Sequence, residues 1–561
     1  MNSLPLDQNL RPSLKPSLLS IAVRNSIVLL GMAHASVNAA EITVTSNLDD
    51  NGNGCTLREA INSANSSVDL SNGCAVGSDS GIDQINFDST AFANANTITL
   101  SNGQLLLADK ALEINAQSIG GVTVSANRQS RVMQITGGDI TLNSITISDG
   151  EENEGAGIFI RNAAKVTLME SEISHNVLPS LIFGNVEGGG VNIQGSTLIL
   201  HNSLITRNTC ENSRSFGCAM WASNNNVLSF FGSEISYNTI TGVSSSSDSD
   251  GIRVDGFNNT VTITNSLISN NDGTGIDISG YGSSVLDLVD SVIENNVSSG
   301  GVSGGMDVDD LTSLNIIRSR ISGNAASAAA AGISVDNVGS TQIVDSVISD
   351  NTSNVQVEAA GLSLRDTDFV IQNTTISNNT LTIGLDFFAL GAGVTVLNID
   401  YGLFSHVTMS GNNIEIYDRS YGSSLAAIDN ATLVMQNSII ANSEGAPTDC
   451  FVSNSQLTID SASIIEDGSC GATQSGDPGL LALADNGGPT PTHALSPNSI
   501  AINTGDTTTC LETDQRGAQR DALCDVGAFE FGASVPNEID DNAAELFVIP
   551  LPNGKTLIFS L

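Results

Sequence analysis

The chain has 561 residues, with 19 Lys and Arg against 60 Asp and Glu, a formal charge of −41. That balance excludes nucleic acid as a partner, because such binding rests on basic groups that displace counterions from phosphates, and it disfavours anionic membranes for the same reason. Charged residues are only 14% and hydrophobic ones 40%, with 4% aromatics, so the chain is not of the disordered class and its core must be built from Ile, Val, Leu and Ala.

Residues 1–40 read as a signal peptide. Arg11, Lys15 and Arg24 form a basic stretch, Ser26 to Ala33 is apolar, and Val37-Asn38-Ala39 is a small-residue cleavage site. The apolar run is too short to span a bilayer, so no transmembrane span is expected in the mature chain. Its localisation is expected to be extracellular or on the outer surface of a bacterial cell. All eight Cys follow this segment, and an even count in an exported chain favours disulfides. Eight Cys allow 105 connectivities. They fall as four close pairs, so nearest-neighbour bridging is expected: Cys55–Cys74, Cys210–Cys218, Cys450–Cys470 and Cys510–Cys524. A zinc site is disfavoured, since there is no C-x-x-C and His is scarce.

Residues 41–110 read as an N-terminal cap with the first coils. Glu41 to Thr45 alternates as a strand. Thr56 opens a short amphipathic helix with Leu57, Ala60, Ile61 and Ala64 on one face, and Thr56 with Glu59 has capping-box spacing. Such a helix can cover the open end of a sheet. Asp49, Asn51, Asn53 and Gly54 imitate the start of an EF-hand loop, but position 12 is Ala60 and the Glu comes one place early at Glu59. A tight turn is the expectation there.

Residues 111–445 repeat. A phrase of the form Ser-x-Ile-Ser-x-Asn recurs, and its central apolar residue runs Ile147, Ile173, Ile205, Ile235, Ile268, Ile293, Ile321, Ile348, Ile376, Met409, Ile440, a spacing of about 29 residues. That period marks a solenoid. About fifteen residues earlier in each period lies a Gly- or Ala-rich phrase with an alternating apolar pair, such as Ile158/Ile160, Ile276/Ile278 and Val394/Val396. A third alternating run, such as Val166/Leu168 or Leu314/Ile316, sits between them. Period-two alternation means short strands with one buried face. Three short strands per coil of about 29 residues, with no helical pattern between them, give an all-β parallel β-helix.

Stacking like coils aligns like residues. Asn176, Asn208, Asn238, Asn271, Asn296, Asn324, Asn351, Asn379 and Asn412 fall three places after the anchor. An Asn amide both donates and accepts, and Asn tolerates turn conformations. Ser171, Ser203, Ser233, Ser266, Ser291, Ser319, Ser346, Thr374 and Ser438 fall two places before it, pointing inward where hydroxyls can satisfy one another. A catalytic Ser column is disfavoured because no His column accompanies it.

Residues 446–532 read as a C-terminal cap, 533–545 as an acidic linker, and 546–561 as two apolar runs around Pro-Asn-Gly-Lys. Asn-Gly is a strong hairpin signal. The hairpin would either pack on the solenoid or serve as a sorting or attachment tag.

The run Cys55-Thr-Leu-Arg-Glu-Ala closely resembles the N-terminal Cys-Ser-Leu-Arg-Glu-Ala signature of the CSLREA family of exported bacterial β-helix proteins, departing only at Thr56. The stretches DNGGPTPTHALSPNSIAINTG (485–505), DQRGAQR (514–520) and CDVGAFE (524–530) resemble the choice-of-anchor Q domain. The inner phrases are also similar to the repeats of chlamydial polymorphic outer-membrane proteins, which end in an autotransporter barrel. No segment of that length follows residue 532 here, so self-translocation is not expected. These resemblances imply a right-handed β-helix of the pectin-lyase type, at the surface or secreted. They imply no catalytic set.

One group of residues on the outward side of the Gly-phrase strands has chemistry to offer. One place past the apolar anchor sit Trp221, Arg253, Asp277 and Asp307; three places past it sit Asp255, Ser279, Asp309, Asp336 and Arg365. Stacked carboxylates repel unless solvated, paired or metal-bound. Trp221, Arg253, Asp277, Asp307, Asp309 and Asp336 are therefore the candidate ligand site. The competing reading is a soluble face. No cofactor is expected beyond a structural calcium at Asp307 and Asp309. The functional expectation is a non-catalytic, adhesin-like or carbohydrate-binding scaffold whose partner is a polysaccharide or a host or neighbouring cell surface. The alternatives are a polysaccharide lyase or glycoside hydrolase using the Asp column, and a structural envelope spacer.

Overall fold

In the computed structural model the alternating runs form strands, and each strand pairs in parallel with its equivalent one coil later. The residues described are 39–49, 54–66, 68–93, 96–108, 110–180, 186–211, 215–241, 250–300, 303–327, 329–354, 359–382, 388–415, 419–536, 546–550 and 556–560. Residues 1–38, most of the expected signal peptide, Asn51, Asn53 and 537–545, most of the expected linker, lie outside them. The chain winds as a right-handed parallel β-helix of about 12 turns.

Three long sheets run along it. The first face contains Ile158–Arg161, Val191–Gln194 and their equivalents, 13 strands among the described residues; the second contains Lys165–Met169 and Thr197–His201, 15 strands; the third contains Glu172–Ser174 and Leu204–Thr206, 14 strands. Register follows the sequence phrases: Ile158 lies beside Val191, which lies beside Met220, and Ile173 beside Ile205 beside Ile235. Inward Ile, Val and Leu from the three faces fill one continuous core, with Phe92, Phe230, Phe369 and Phe404 its bulkiest members. The last coil includes Cys450–Ser453, Gln456–Ile459 and Ile464–Ile465, so the solenoid runs about twenty residues past the boundary at 445.

The Asn column is the interior's polar spine. Each side-chain amide nitrogen donates to the Oδ1 of the next Asn: Asn271 to Asn296 at 2.9 Å, Asn296 to Asn324 at 3.1 Å, Asn324 to Asn351 at 3.1 Å. The same nitrogen also donates to the anchor carbonyl one coil back, as Asn324 does to Ile293 at 3.1 Å. Each Oδ1 accepts a second bond from the preceding Asn backbone N–H, as Asn324 does from Asn296 at 3.0 Å. All four bonds of the amide are made, inside a core where an unmade one is costly.

This spine explains the Gly phrases. A Cβ on Gly305 would stand 3.0 Å from the Asn324 amide nitrogen and 2.5 Å from the Gly332 carbonyl, and Gly361 is equally crowded by Asn379 and Gly393. The first strand needs a bare backbone where the Asn crosses to it.

The Ser column behaves differently from the expectation of mutual hydroxyl bonding. Each Oγ accepts the backbone N–H of the Ser one coil before, as Ser319 does from Ser291 at 3.1 Å. It donates to the carbonyl two places back on its own strand, Ser319 to Ile317 at 2.8 Å. A backbone N–H at a corner has no sheet partner, and it takes the hydroxyl. The turn itself is not made by the ladder Asn. The left-handed residue stands one place before it: His175, Arg207, Tyr237, Asn270 and Asn295, with φ between 55° and 59°. A second left-handed column precedes the Ser ladder, including Asn202, Asn265, Asp290, Arg318, Asn373, His406 and Asn437.

The N-terminal helix, Leu57–Ser66, has the expected reciprocal cap: the Thr56 N–H donates to Glu59 at 3.0 Å and the Glu59 N–H to the Thr56 hydroxyl at 3.2 Å. Asp49 is an anchor: it takes Arg58 at 2.7 Å and the Ser101 N–H at 2.7 Å. Burial pushes its carboxyl up, but Arg58 and the N–H groups of Ser101 and Asn102 outweigh burial and hold it below its ordinary value. The four disulfides are Cys55–Cys74, Cys210–Cys218, Cys450–Cys470 and Cys510–Cys524. Leu546–Pro550 and Thr556–Ser560 pair antiparallel.

Residues 480–531 form a strap against the third face. Gln515 accepts the Thr375 hydroxyl at 2.6 Å, His493 bonds Ser377 at 2.8 Å, and Thr408 accepts the Ala528 N–H at 3.0 Å. The strap also grips the left-handed corner column: Asn373 donates to the Thr513 carbonyl and Asn437 to the Asp506 carbonyl. Buried pairs Arg516–Asp514 and Arg520–Glu530 hold its own turns.

Asn324→Ala removes the acceptor of the Asn296 N–H and of one Asn296 amide proton, and one donor to Ile293. At about 1–3 kcal/mol per buried orphan, stability should fall by roughly 3 kcal/mol or more. Val227→Thr, exposed between Thr197 and Thr260, should change it by less than about 0.5 kcal/mol. Urea denaturation followed by circular dichroism measures both.

Candidate functional site

Outward positions on the first face alternate with the buried anchors, so their identity is free of core packing. Parallel register stacks Trp221, Arg253, Asp277, Asp307 and Ser334 in one column, and Ser223, Asp255, Ser279, Asp309, Asp336 and Arg365 in the next. All six candidate residues therefore lie on neighbouring rungs.

The columns are partly exposed over one window, except at Asp277 within it, which is 5% exposed. Towards the N-terminus Asn192 is fully buried and its amide donates to the Glu187 carbonyl in a short outer strand, Val186–Glu187. Towards the C-terminus Thr395 is fully buried and bonds the Leu390 carbonyl in Phe388–Leu390. Inserts roof the face at both ends, and the acidic rungs lie between them.

Inside the window the charges divide into two parts. Arg253 is shared: its Nε contacts Asp255 at 3.0 Å and its Nη1 contacts Asp277 at 2.7 Å. The guanidinium also lies 5.2 Å from the centre of the Phe216 ring. The Trp221 indole N–H donates to Asp255 at 2.9 Å. Trp221, Arg253, Asp255 and Asp277 thus form one network. The second part is acidic. Burial, then Asp310 and Asp336, raise the Asp309 carboxyl above its ordinary value. Burial raises Asp336 as well; Arg365, 3.5 Å away, opposes this, and Asp366 and Asp310 add to it. Among the described residues, these carboxylates do not bring three oxygens within 4.8 Å of one another.

Two features of the window were not apparent from the repeat. Glu187 joins the acidic group: burial, then Glu154 and Asp255, raise its carboxyl. Glu187 lies in the short outer strand of an insert, outside the periodic pattern. The exposed aromatic surface is not Trp221 but Phe257 and Tyr281, 56% and 51% exposed, with ring centres 5.6 Å apart. They pair directly at the ends of the two longest strands, Asp250–Phe257 and Thr274–Tyr281. Their signal was available: each stands five places past its apolar anchor in successive coils.

One family model agrees with the fold. The family model described as the right handed beta helix region matches residues 230–398. Among solved structures, a pectate lyase, Pel9A, is similar over 88% of this chain and 97% of its own, with 12% identity and a TM-score of 0.26. No curated protein matches the sequence. The four disulfides suit an oxidising compartment, and no helix among the described residues is long and apolar enough to cross a membrane.

A raised carboxyl means that the fold favours its protonated form. The cost of charging Asp309, from burial and then from Asp310 and Asp336, is absent below the ordinary carboxylate range and complete once pH exceeds the raised value. Asp309→Asn should therefore raise the melting temperature slightly at neutral pH, and the gain should vanish on acidification below the ordinary Asp range. Melting curves of both proteins across pH measure this.

Proposed function

We propose that the chain is an exported, non-catalytic scaffold that binds an extended polysaccharide along the window of its first face. The observation that carries this reading is the exposed Phe257–Tyr281 pair beside an open run of polar rungs. The two rings, tilted 42° to one another, present apolar faces to sugar rings, and carboxylates and hydroxyls such as Asp309 and Ser334 accept or donate to sugar hydroxyls. The repeating rung spacing suits a repeating polymer. A formal charge of −41 disfavours polyuronates unless a divalent cation lies between, and Asp307 with Asp309 would hold calcium there. The leader at 1–40 supports export, and the capped Thr56–Glu59 helix and the buried strap support assignment of the two ends to CSLREA and choice-of-anchor Q modules. The final two strands would pack on the solenoid or serve attachment.

A depolymerase is the second reading. The raised Asp309 and Asp336 carboxyls favour it, since a protonated carboxyl is what a hydrolase needs as general acid.

Co-sedimentation with insoluble neutral and uronate glycans, with calcium or chelator, tests both. The double variant Phe257→Ala/Tyr281→Ala should weaken binding about tenfold, the combined worth of two ring contacts. Unchanged binding would remove the proposal. Release of soluble oligosaccharide, abolished by Asp307→Ala and Asp309→Ala, would establish the second reading instead.

A further inference from the structure

We infer that the joint between strap and solenoid is a redox-gated metal site. In its oxidised form it is the Cys510–Cys524 disulfide packed against His406. In its reduced form it is a Cys2His set for zinc.

Three observations converge on it. First, a ring nitrogen of His406 and the sulfurs of Cys510 and Cys524 all lie within 4.8 Å of one another; among the described residues they are the one such group of three potential ligands. None of the other three disulfides has a comparable partner there. Second, His406 is fully buried and half-satisfied. Its Nδ1 lies 3.3 Å from the Ser405 hydroxyl, while Nε2 has no hydrogen-bond partner. A buried, unpaired imidazole nitrogen is costly to keep, and an aromatic or aliphatic side chain would fill the same space without that cost. Third, the position is built. His406 occupies the left-handed corner column between Asn373 and Asn437, both of which bond the strap. The ring is thereby held at the strap's own disulfide.

The conversion balances with a dithiol as reductant. A thiolate of the dithiol attacks the Sγ of Cys510, the less buried of the two residues. The S–S bond breaks and Cys524 leaves as thiolate. The second thiol of the reagent attacks the mixed disulfide, releasing Cys510 as thiolate and the reagent as its own disulfide. Two electrons pass to the protein, and two protons follow unless a cation takes their place. Zinc accepts two thiolates and one neutral imidazole, with a fourth position for water. Two thiolates cancel the charge of the ion, and the nearby Arg520 is already paired with Glu530 at 3.1 Å, so no unpaired charge is buried.

The test uses the full chain, reduced with an immobilised dithiol and titrated with cobalt(II) as a spectroscopic stand-in for zinc. The expected result is one cobalt per chain, with thiolate-to-cobalt charge-transfer and tetrahedral ligand-field bands, displaced by zinc. His406→Gln should weaken binding at least about tenfold, a loss of about 1.4 kcal/mol. The pair Cys55→Ser/Cys74→Ser should leave it unchanged. The oxidised chain should bind none. Independently, zinc should slow alkylation of Cys510 and Cys524, and of no other cysteine, in mass-spectrometric mapping. Absence of cobalt binding by the reduced chain, equal binding by His406→Gln, or zinc protection spread over all eight cysteines overturns the inference. A loss of glycan binding has no bearing on it, since the acidic window lies on another face.

Discussion

Everything in this molecule is arranged around an amide with no unused hydrogen-bonding capacity. From Asn208 to Asn379, each ladder Asn gives both protons and takes two, one pair along the stack and one pair to backbone. A polar side chain in the core of a narrow solenoid is tolerable only on those terms. The spine then dictates the rest of the coil. It forces Gly opposite, as at Gly305 and Gly361, and it fixes the three-residue distance from anchor to corner. Ser hydroxyls complete the second corner by capping N–H groups rather than by bonding one another.

The ends of the ladder show what replaces it. At the N-terminal end the Gly150 N–H donates to Asn176, and at the C-terminal end Asn412 donates to the Ser424 hydroxyl, which in turn contacts Ser443. In these last coils the strap takes over part of the work, bonding strands of the third face from outside and the corner residues Asn373 and Asn437 from the side. Val407 interrupts the Ser ladder in the same coil where His406 meets the strap disulfide. Regular stacking gives way to specific contacts where the solenoid meets its cap.

The fold was legible in the sequence because in a parallel stack like lies on like. Asp277 beside Asp307, or Ile173 beside Ile205, follows from counting along a 29-residue period. The capping box at Thr56 and Glu59 was legible because it is local. What lay off the period was not. The roof over Asn192 and Thr395 comes from inserts of irregular length, so the sequence could not tell which outward rungs stay open. Glu187 joins the acidic group from one such insert. Trp221 was one of the candidate ligand residues, but Asp255 holds its indole N–H, and the exposed aromatic pair is Phe257 with Tyr281. The strap's partners, up to 147 residues away as for Arg520 and Asn373, have no local signature at all.

The functional reading rests on that division. The interior is committed to holding the stack, and the outer first face is where residues vary without cost to it. Arg253 neutralises one end of the window, while Asp309 and Asp336 remain raised and repelling at the other.

The central claim is that the Asn spine holds the stack together. Native-state hydrogen exchange followed by NMR on the ladder Asn backbone N–H groups tests it directly. These N–H groups bond to side chains rather than to a sheet partner, so their protection reports the ladder itself. If the spine holds the coils, the Asn271, Asn296 and Asn324 N–H groups exchange only through global unfolding, as slowly as Ile268 or Ile293 in the adjacent strands. Exchange at the rate of exposed backbone N–H groups, with those strands still protected, would contradict it.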